Sequence, residues 1–282
     1  MTTDLSTRSY WLGLDSYEPD APLEGEMRAD LVIVGGGFSG LWTAYHLLKA
    51  DPGMTVIVIE ASAIGYGASG RNGGFAMTLI HKGLKDLVAA VGADEARALH
   101  LAAEEAIRSI GEVCEAENIG ADLQPNGLLT ISNTPLQDSI IREEVETAER
   151  LGISGFEFLQ REEIQTAIHS ETFRCAVKEE SCTLLNPARL VRGLKDAVIR
   201  AGGRVFEQTP MEKLDETSDG VRVVTPKGEI RAQRALLAAN AYSSRIPSLK
   251  AYVMPFYSYI LLTEPMSDQQ WSRVGWKGRE GM

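Results

Sequence analysis

The stretch DLVIVGGGFSGLWTAYHLLKADPGMTVIVIE, residues 30–60, reads as a short apolar strand, a glycine-rich turn, a helix, a second apolar strand and a terminal acid. Leu31, Val32, Ile33 and Val34 run into Gly35-Gly36-Gly37-Phe38-Ser39-Gly40, a G-x-G-x-x-G motif. In this pattern Gly35 permits the tight turn, Gly37 lets backbone approach a pyrophosphate, and Gly40 allows the helix to pack closely on the strand. The helix expected over 41–49 would aim its unpaired N-terminal amides and the positive end of its dipole at phosphate oxygens. Asp51-Pro52-Gly53 stops that helix and a strand follows over 55–59. Glu60 then arrives twenty positions after Gly40, where a carboxylate can accept both hydroxyls of an adenosine ribose. The same carboxylate would repel a 2'-phosphate, which disfavours NADP. A glycine triplet alone can be a flexible loop. Strand, helix, second strand and acid in one register point instead to a dinucleotide-binding unit.

A second glycine-rich segment follows, Gly65-Tyr66-Gly67-Ala68-Ser69-Gly70-Arg71-Asn72-Gly73-Gly74. Glycine adopts positive φ at no steric cost and lets backbone approach a ligand, so the segment is expected to be a loop. Its place just past Glu60, near the carboxyl ends of the strands, favours ligand contact over a plain surface loop.

Residues 84–169 are mostly helical in pattern, with apolar spacing of three to four over 94–117 and 136–151 and one strand over 127–132. Thr134-Pro135-x-Gln137 combines a capping hydroxyl, a first-turn proline and a glutamine three residues after the cap. Charge runs such as Arg142-Glu143-Glu144 fit solvated helix faces. The alternating strand and helix theme returns at Asn186-Pro187, which leads a helix to about residue 201 ended by Gly202-Gly203. Strands are expected over 204–208, then over 221–225 and 229–232 as a hairpin, and over 235–239. Ala239-Asn240-Ala241 ends the last of these in small residues, open to two readings: packing against a helix, or close approach of a cofactor. A long strand over 252–263 would open a second sheet. It carries Tyr257 and Tyr259 on one face, toward either a core or a substrate cavity.

The chain has 282 residues, 44% hydrophobic and 24% charged, enough for two domains. A net charge of -11 and a pI near 5.0 argue against a nucleic-acid partner. Cys114, Cys175 and Cys182 are odd in number, widely spaced and form no C-x-x-C, so they are expected as buried thiols in a reducing compartment. No export signal and no apolar stretch long enough to span a bilayer is read, and a cytoplasmic protein is expected. There is no G-x-S-x-G elbow, no H-E-x-x-H and no G-x-x-x-x-G-K-[ST]. His46, His81, His100 and His169 fall in separate segments without metal-ligand spacing, and no metal is expected.

These residues resemble the FAD-dependent amine and amino-acid oxidoreductases, the family that includes glycine oxidase, sarcosine oxidase and D-amino-acid oxidase. The likeness runs from about Tyr10 to the end. The segment from Ile64 to Gly74, the leader Ser9-Tyr10-Trp11 and Asn240-Ala241-Tyr242 are most similar to its gamma-glutamylputrescine oxidase branch. The resemblance implies non-covalent FAD, with Gly35, Gly37, Phe38, Ser39 and Gly40 forming the pyrophosphate turn and Glu60 with Ala61 holding the adenosine ribose. Ala68 and Ser69 would continue the pyrophosphate contacts, and Arg71, Asn72, Gly73, Gly74 and Phe75 would run beneath the flavin ring. Met211 matches a position whose backbone contacts adenine. Ala239-Asn240 stands where the family more often has Ala-x-Gly, a turn that asparagine tolerates. Arg71 is either a charge near flavin or substrate or a tie from the loop to its own domain.

The implied fold is α/β: a discontinuous Rossmann-like FAD-binding domain, residues 28–80 and 170–245. Into it is inserted an α+β substrate domain with an antiparallel sheet, residues 81–169 and 246–282, incomplete here because family members continue past the Thr263-Glu264-Pro265 position. The implied reaction oxidises a C–N bond of an amine or amino acid to an imine, with dioxygen or another acceptor and peroxide as product. The catalytic residues are not assigned by these motifs, nor is the oligomeric state. A nicotinamide-dependent dehydrogenase, or a truncated flavin-binding remnant without turnover, are the alternatives.

Overall fold

The computed structural model describes residues 9–80 and 83–282. His81 lies outside the described residues. In chain order the helices are α1 (Tyr10–Leu14), α2 (Phe38–Ala50), α3 (Leu84–Val91), α4 (Ala93–Ala116), α5 (Pro135–Leu151), α6 (Arg161–Ala167), α7 (Pro187–Arg200) and α8 (Asp268–Val274). The strands are β1 (Gly25–Val34), β2 (Val56–Ile59), β3 (Phe75–Ala76), β4 (Leu128–Ser132), β5 (Phe156–Leu159), β6 (Cys175–Glu179), β7 (Thr183–Leu184), β8 (Arg204–Phe206), β9 (Lys213–Thr217), β10 (Gly220–Thr225) and β11 (Gly228–Leu237). Two compact units result. The first draws on described residues up to 73, on 117–121 and on 186–260; the second on 74–116, 122–185 and 261–282.

The first unit is built on a six-stranded sheet in the order β8-β2-β1-β11-β10-β9. β1 pairs in parallel with both β2 and β11, and β2 pairs in parallel with β8. All four residues of β2 are buried, as expected of an unbroken Val/Ile run covered on both faces. Val32, Ile57, Ile59, Val223 and Ile230 form the core of this sheet together with Leu23. α2 is the crossover between β1 and β2, and Asp51 closes its end by returning its amide to the Leu47 carbonyl. α7 starts as anticipated: the Asn186 side-chain Oδ1 accepts from the Ala188 and Arg189 amides, both at 3.1 Å. Glu117 pins α2 to α7, accepting from the Tyr45 hydroxyl at 3.0 Å and pairing with Lys49 at 3.2 Å and Arg200 at 3.0 Å.

Within this sheet three strand expectations change. β1 begins at Gly25, six residues before the apolar run, because its polar half is held by a continuous ladder to β11. The strands expected over 229–232 and 235–239 are one strand, β11, which pairs on one side with β10 and on the other with β1. β9 was not expected, since KLDET has no strong apolar period. It exists as the sheet's outer strand, antiparallel to β10, with the charged character typical of edges.

The second unit centres on an antiparallel sheet in the order β4-β6-β5, with a short β3–β7 pair beside its own helices. α5 has the predicted start: the Thr134 hydroxyl accepts from the Gln137 amide at 3.3 Å, and the Gln137 side chain accepts from the Asn133 amide at 2.8 Å. Ile141, Cys175 and Val177 form one core cluster, and Ile164, Ile168 and Ala176 form another. Cys114, Cys175 and Cys182 are free and buried.

The division of the chain falls elsewhere than 28–80 with 170–245 and 81–169 with 246–282. Residues 170–185 belong to the second unit because β6 is the central strand of its sheet and β7 pairs with β3. Residues 246–260 group with the first. The strand expected over 252–263 is not formed. A strand exists by ladder pairing, and no described strand pairs with this segment, so Tyr257 and Tyr259 are 82% and 95% exposed and face neither a core nor a cavity.

Candidate dinucleotide site

At the carboxyl ends of β1, β2 and β11, four loops of the first unit enclose a cavity of about 870 Å³. Such a crevice at the strand ends is where open parallel sheets take ligands. Gly35 makes the turn out of β1 at φ +123°, and a Cβ there would fall 2.5 Å from the Ala238 carbonyl oxygen. No side chain fits between these backbones. Gly40 lies behind the turn, where a Cβ would come within 2.1 Å of the Gly35 oxygen and 3.1 Å of the Ile33 Cγ2. α2 therefore rests on β1 at backbone distance.

Gly37 caps α2 with an extended backbone and presents no side chain to the cavity wall. The helix opens three residues earlier than expected, at Phe38 rather than 41, which places Phe38 and Ser39 in its first turn. Amides of a first turn have no carbonyl within the helix to donate to. Phe38 N–H meets this need by donating to the Ser69 Oγ at 2.9 Å, which joins the two glycine-rich segments on one wall.

Glu60 closes the other side of the turn. Its Oε2 accepts from the Gly36 amide at 2.9 Å and its Oε1 from the Ser62 amide at 3.0 Å. Burial pushes its carboxyl above the ordinary value; the two amides act against the shift and the neighbouring Glu207 adds to it. A carboxylate raised in the folded state contributes stability that is fully present below its unfolded value and is lost as pH rises through the folded value. Glu60→Gln, which mimics the protonated form, should therefore lack this slope. Urea unfolding from pH 4 to pH 8 is expected to show the wild-type advantage over the variant shrinking as pH rises; an advantage that grows with pH would refute the burial account.

The second glycine-rich segment supplies the facing wall. Gly65 has φ +75°, and a Cβ on Gly70 would fall 2.4 Å from the Gly65 oxygen, so the segment doubles back tightly into a 3-10 turn over Ala68–Gly70. Tyr242 packs across from Gly67, where a Cβ would meet its ring at 3.5 Å. Asn240 adopts φ +43°, the left-handed backbone that asparagine tolerates, and opens a 3-10 helix over Asn240–Arg245. Met211 packs partly against the sheet core and borders the cavity.

Eleven of the residues singled out from sequence line this one cavity: Gly35, Gly37, Phe38, Ser39, Glu60, Ala61, Ala68, Ser69, Met211, Ala239 and Asn240. Arg71, Asn72, Gly73, Gly74 and Phe75 are not among the lining residues. Arg71 donates from Nε to the Tyr66 carbonyl at 2.5 Å and lies 4.4 Å over the Tyr66 ring, an arrangement that ties the loop to itself. Asn72 likewise donates to the Ala68 and Ser69 carbonyls, at 3.2 and 3.1 Å. Gly74 and Phe75 belong to the second unit, where Phe75 pairs with Leu184. Lys213, Tyr242 and Arg245 also line the cavity and were missed. Tyr242 and Arg245 lie just past the small-residue run 239–241, which was the available signal.

Among the described residues no set of three or more His, Cys, Asp or Glu side chains could hold a metal, and no helix is long and apolar enough to cross a membrane. His46 stacks on Trp42, and His100 is buried against Phe156. The His169 ring lies 3.2 Å from the Arg273 carbonyl oxygen.

A bare backbone turn, a helix start and a buried carboxylate around one crevice at the strand ends are the features of a dinucleotide-binding α/β fold. The turn fits a diphosphate cradle built of backbone, since Gly37 leaves open the space beside Ser69 that a Cβ would crowd at 2.9 Å. A family described as FAD dependent oxidoreductase matches residues 30–281, and the chain belongs to it. It is 32% identical over 268 residues to the gamma-glutamylputrescine oxidoreductase of Escherichia coli strain K12, covering 94% of this chain and 62% of that protein. Identity is 30% to the probable oxidoreductase OrdL of Haemophilus influenzae, covering 92% and 61%. Glycine oxidase from Bacillus cereus superposes with a TM-score of 0.63 at 19% identity, covering 79% of this chain and 58% of that one. L-amino acid deaminase from Proteus myxofaciens gives 0.67 at 18%, covering 86% and 52%. These last two likenesses bear on the fold. The chain spans about three fifths of the length of the curated relatives.

Proposed function

We propose that the cavity takes FAD without a covalent bond, in a cytoplasmic protein that oxidises a C–N bond of a small amine or amino acid to an imine. The observation that carries this reading is the meeting of the α2 start, the bare Gly35–Gly37 turn and Glu60 around one crevice at the strand ends. Gly35 would make the tight turn and Gly37 would let the diphosphate approach backbone, with Phe38 and Ser39 lining the turn at the start of α2 and Gly40 keeping that helix start in place. Glu60 and Ala61 would hold the adenosine ribose, Ala68 and Ser69 the other side of the diphosphate, and the Met211 backbone the adenine. Ala239 and Asn240 would border the cofactor at the end of β11, and Arg71, Asn72, Gly73, Gly74 and Phe75 would lie toward the flavin.

Bound FAD would supply the two-electron acceptor, a chemistry that protein side chains lack. The chain's own residues would orient it and shield it from water. Water would then hydrolyse the imine to a carbonyl compound and an amine or ammonia, and reoxidation by dioxygen would release peroxide. The substrate class rests on the relative that carries the name gamma-glutamylputrescine oxidoreductase. The first unit would be the cofactor domain and the second would belong to the substrate side. The three buried free thiols accord with a reducing compartment.

The test is a visible spectrum of the purified chain with added FAD, followed by a peroxide assay over gamma-glutamylated and simple amines and amino acids. Yellow protein with turnover is the expected result. A chain that stays colourless with FAD and gains fluorescence with NADH would overturn the reading in favour of a nicotinamide enzyme. Bound flavin without turnover would keep the cofactor assignment and remove catalysis by this chain alone.

A further inference from the structure

We propose that Ser9 and Trp11 are positioning residues for the cofactor, holding the second glycine-rich segment in the shape that lets Ser69 and Ala68 face the diphosphate. This inference rests on the FAD reading above. The N-terminal segment of the first unit lies directly on that loop. The Ser9 hydroxyl donates to the Gly70 carbonyl at 2.7 Å, and Trp11 Nε1 donates to the Asn72 carbonyl at 2.8 Å. Between them Leu12, 2% exposed, packs so closely that a Cβ on Gly70 would fall 2.9 Å from its Cδ2.

The other end of this segment is anchored as firmly. Asp15 pairs with Arg189 of α7 at 2.7 Å, and Asp20 pairs with Lys195 at 2.8 Å. The Tyr17 hydroxyl and the Asp20 amide both donate to Glu207 Oε2, at 2.7 and 2.9 Å. Glu207 is fully buried, and its second oxygen accepts from the Ile64 amide at 2.6 Å, at the root of the same loop. The Leu23 amide then donates to the Thr209 hydroxyl at 3.0 Å. The segment thus runs as a strap from the 70–72 carbonyls to Thr209, and both the loop it starts on and Thr209 border the cavity.

A strap is needed there for an entropic reason. A chain segment this rich in glycine has many accessible conformations, and a ligand that must order it loses affinity to that ordering. Ser69 is the sensitive point, because its Oγ receives the Phe38 amide at the start of α2 while Gly70, the next residue, is held by Ser9. Releasing the 70–72 carbonyls would let Ser69 drift from the helix start. Neither hydrogen bond supports the sheet core, so the cost should fall on cofactor affinity and spare the stability of the FAD-free chain.

The experiment titrates the full chain with FAD, following the quenching of flavin fluorescence, for wild type, Ser9→Ala, Ser9→Thr, Trp11→Phe and the Ser9→Ala/Trp11→Phe double variant. Phenylalanine retains the ring packing and removes only the indole donor; threonine retains the hydroxyl. Loss of two net hydrogen bonds predicts about tenfold weaker FAD binding in the double variant. Ser9→Thr should match wild type. At saturating FAD the double variant should also show an altered visible circular dichroism of the flavin, and its urea midpoint without FAD should be unchanged. Unaltered affinity, a threonine variant as weak as alanine, or a matching fall in the FAD-free urea midpoint would each overturn the positioning role. A wild-type chain that fails to bind FAD would sink the functional reading and this inference with it; wild-type binding with unaffected variants sinks this inference alone.

Discussion

Gly37→Val is expected to weaken FAD binding by at least about a hundredfold while leaving the FAD-free chain folded. Gly37 sits at φ -92°, a backbone open to any residue, so valine meets no conformational barrier. Its Cβ would lie 2.9 Å from Ser69 Oγ, the atom that receives the Phe38 amide, and its methyls would stand on the wall at the start of α2. Each blocked hydrogen bond to a charged phosphate is worth about 1.5–3 kcal/mol. Two of them exceed the ~2.7 kcal/mol that a hundredfold represents. Isothermal titration with FAD and urea unfolding of the FAD-free chain check the two halves. A variant that binds FAD like wild type would place the diphosphate elsewhere.

Three residues on, Gly40→Ala should fail in the opposite manner, by lowering the unfolding free energy of the chain by about 3 kcal/mol or slightly less. Two effects compete. Alanine in a helix interior gains up to about 1 kcal/mol over glycine. Against this, the added Cβ would lie 2.1 Å from the Gly35 carbonyl oxygen, a backbone atom with no rotamer to escape into, and 3.1 Å from Ile33 Cγ2. The clash outweighs the propensity, because α2 must lift from β1 over its first turn. FAD affinity would fall too, as a consequence of the displaced turn. Urea unfolding decides the matter, and a variant as stable as wild type would show that the helix is not seated at backbone distance.

These paired outcomes follow from a motif legible in sequence, in which spacing alone assigns different duties to Gly37 and Gly40. The β1-α2-β2 order, the cap at Asn186 and the start at Thr134-Pro135 were legible for the same reason. Each depends on residues close in the chain, where side-chain chemistry and backbone geometry meet within one turn. The start of α2 was placed three residues late because an apolar period does not distinguish Phe38 and Ser39 from the glycine turn they follow.

What tertiary structure alone decided was everything that depends on a distant partner. β9 is a strand because β10 offers a ladder, and the segment 252–263, with far stronger β-forming residues, is not one because no described strand pairs with it. The polar half of β1 is ordered by β11, two hundred residues away in the chain. Glu60 could be read as a ribose ligand from its spacing, but its hydrogen bond to the Gly36 amide and its raised carboxyl value arise from burial. Beyond the leader Ser9-Tyr10-Trp11, the strap that runs to Leu23 and the fully buried Glu207 beneath it carry no motif of their own. Local chemistry specifies turns, caps and helix starts; hydrogen-bond ladders and buried charge require neighbours that only folding brings together.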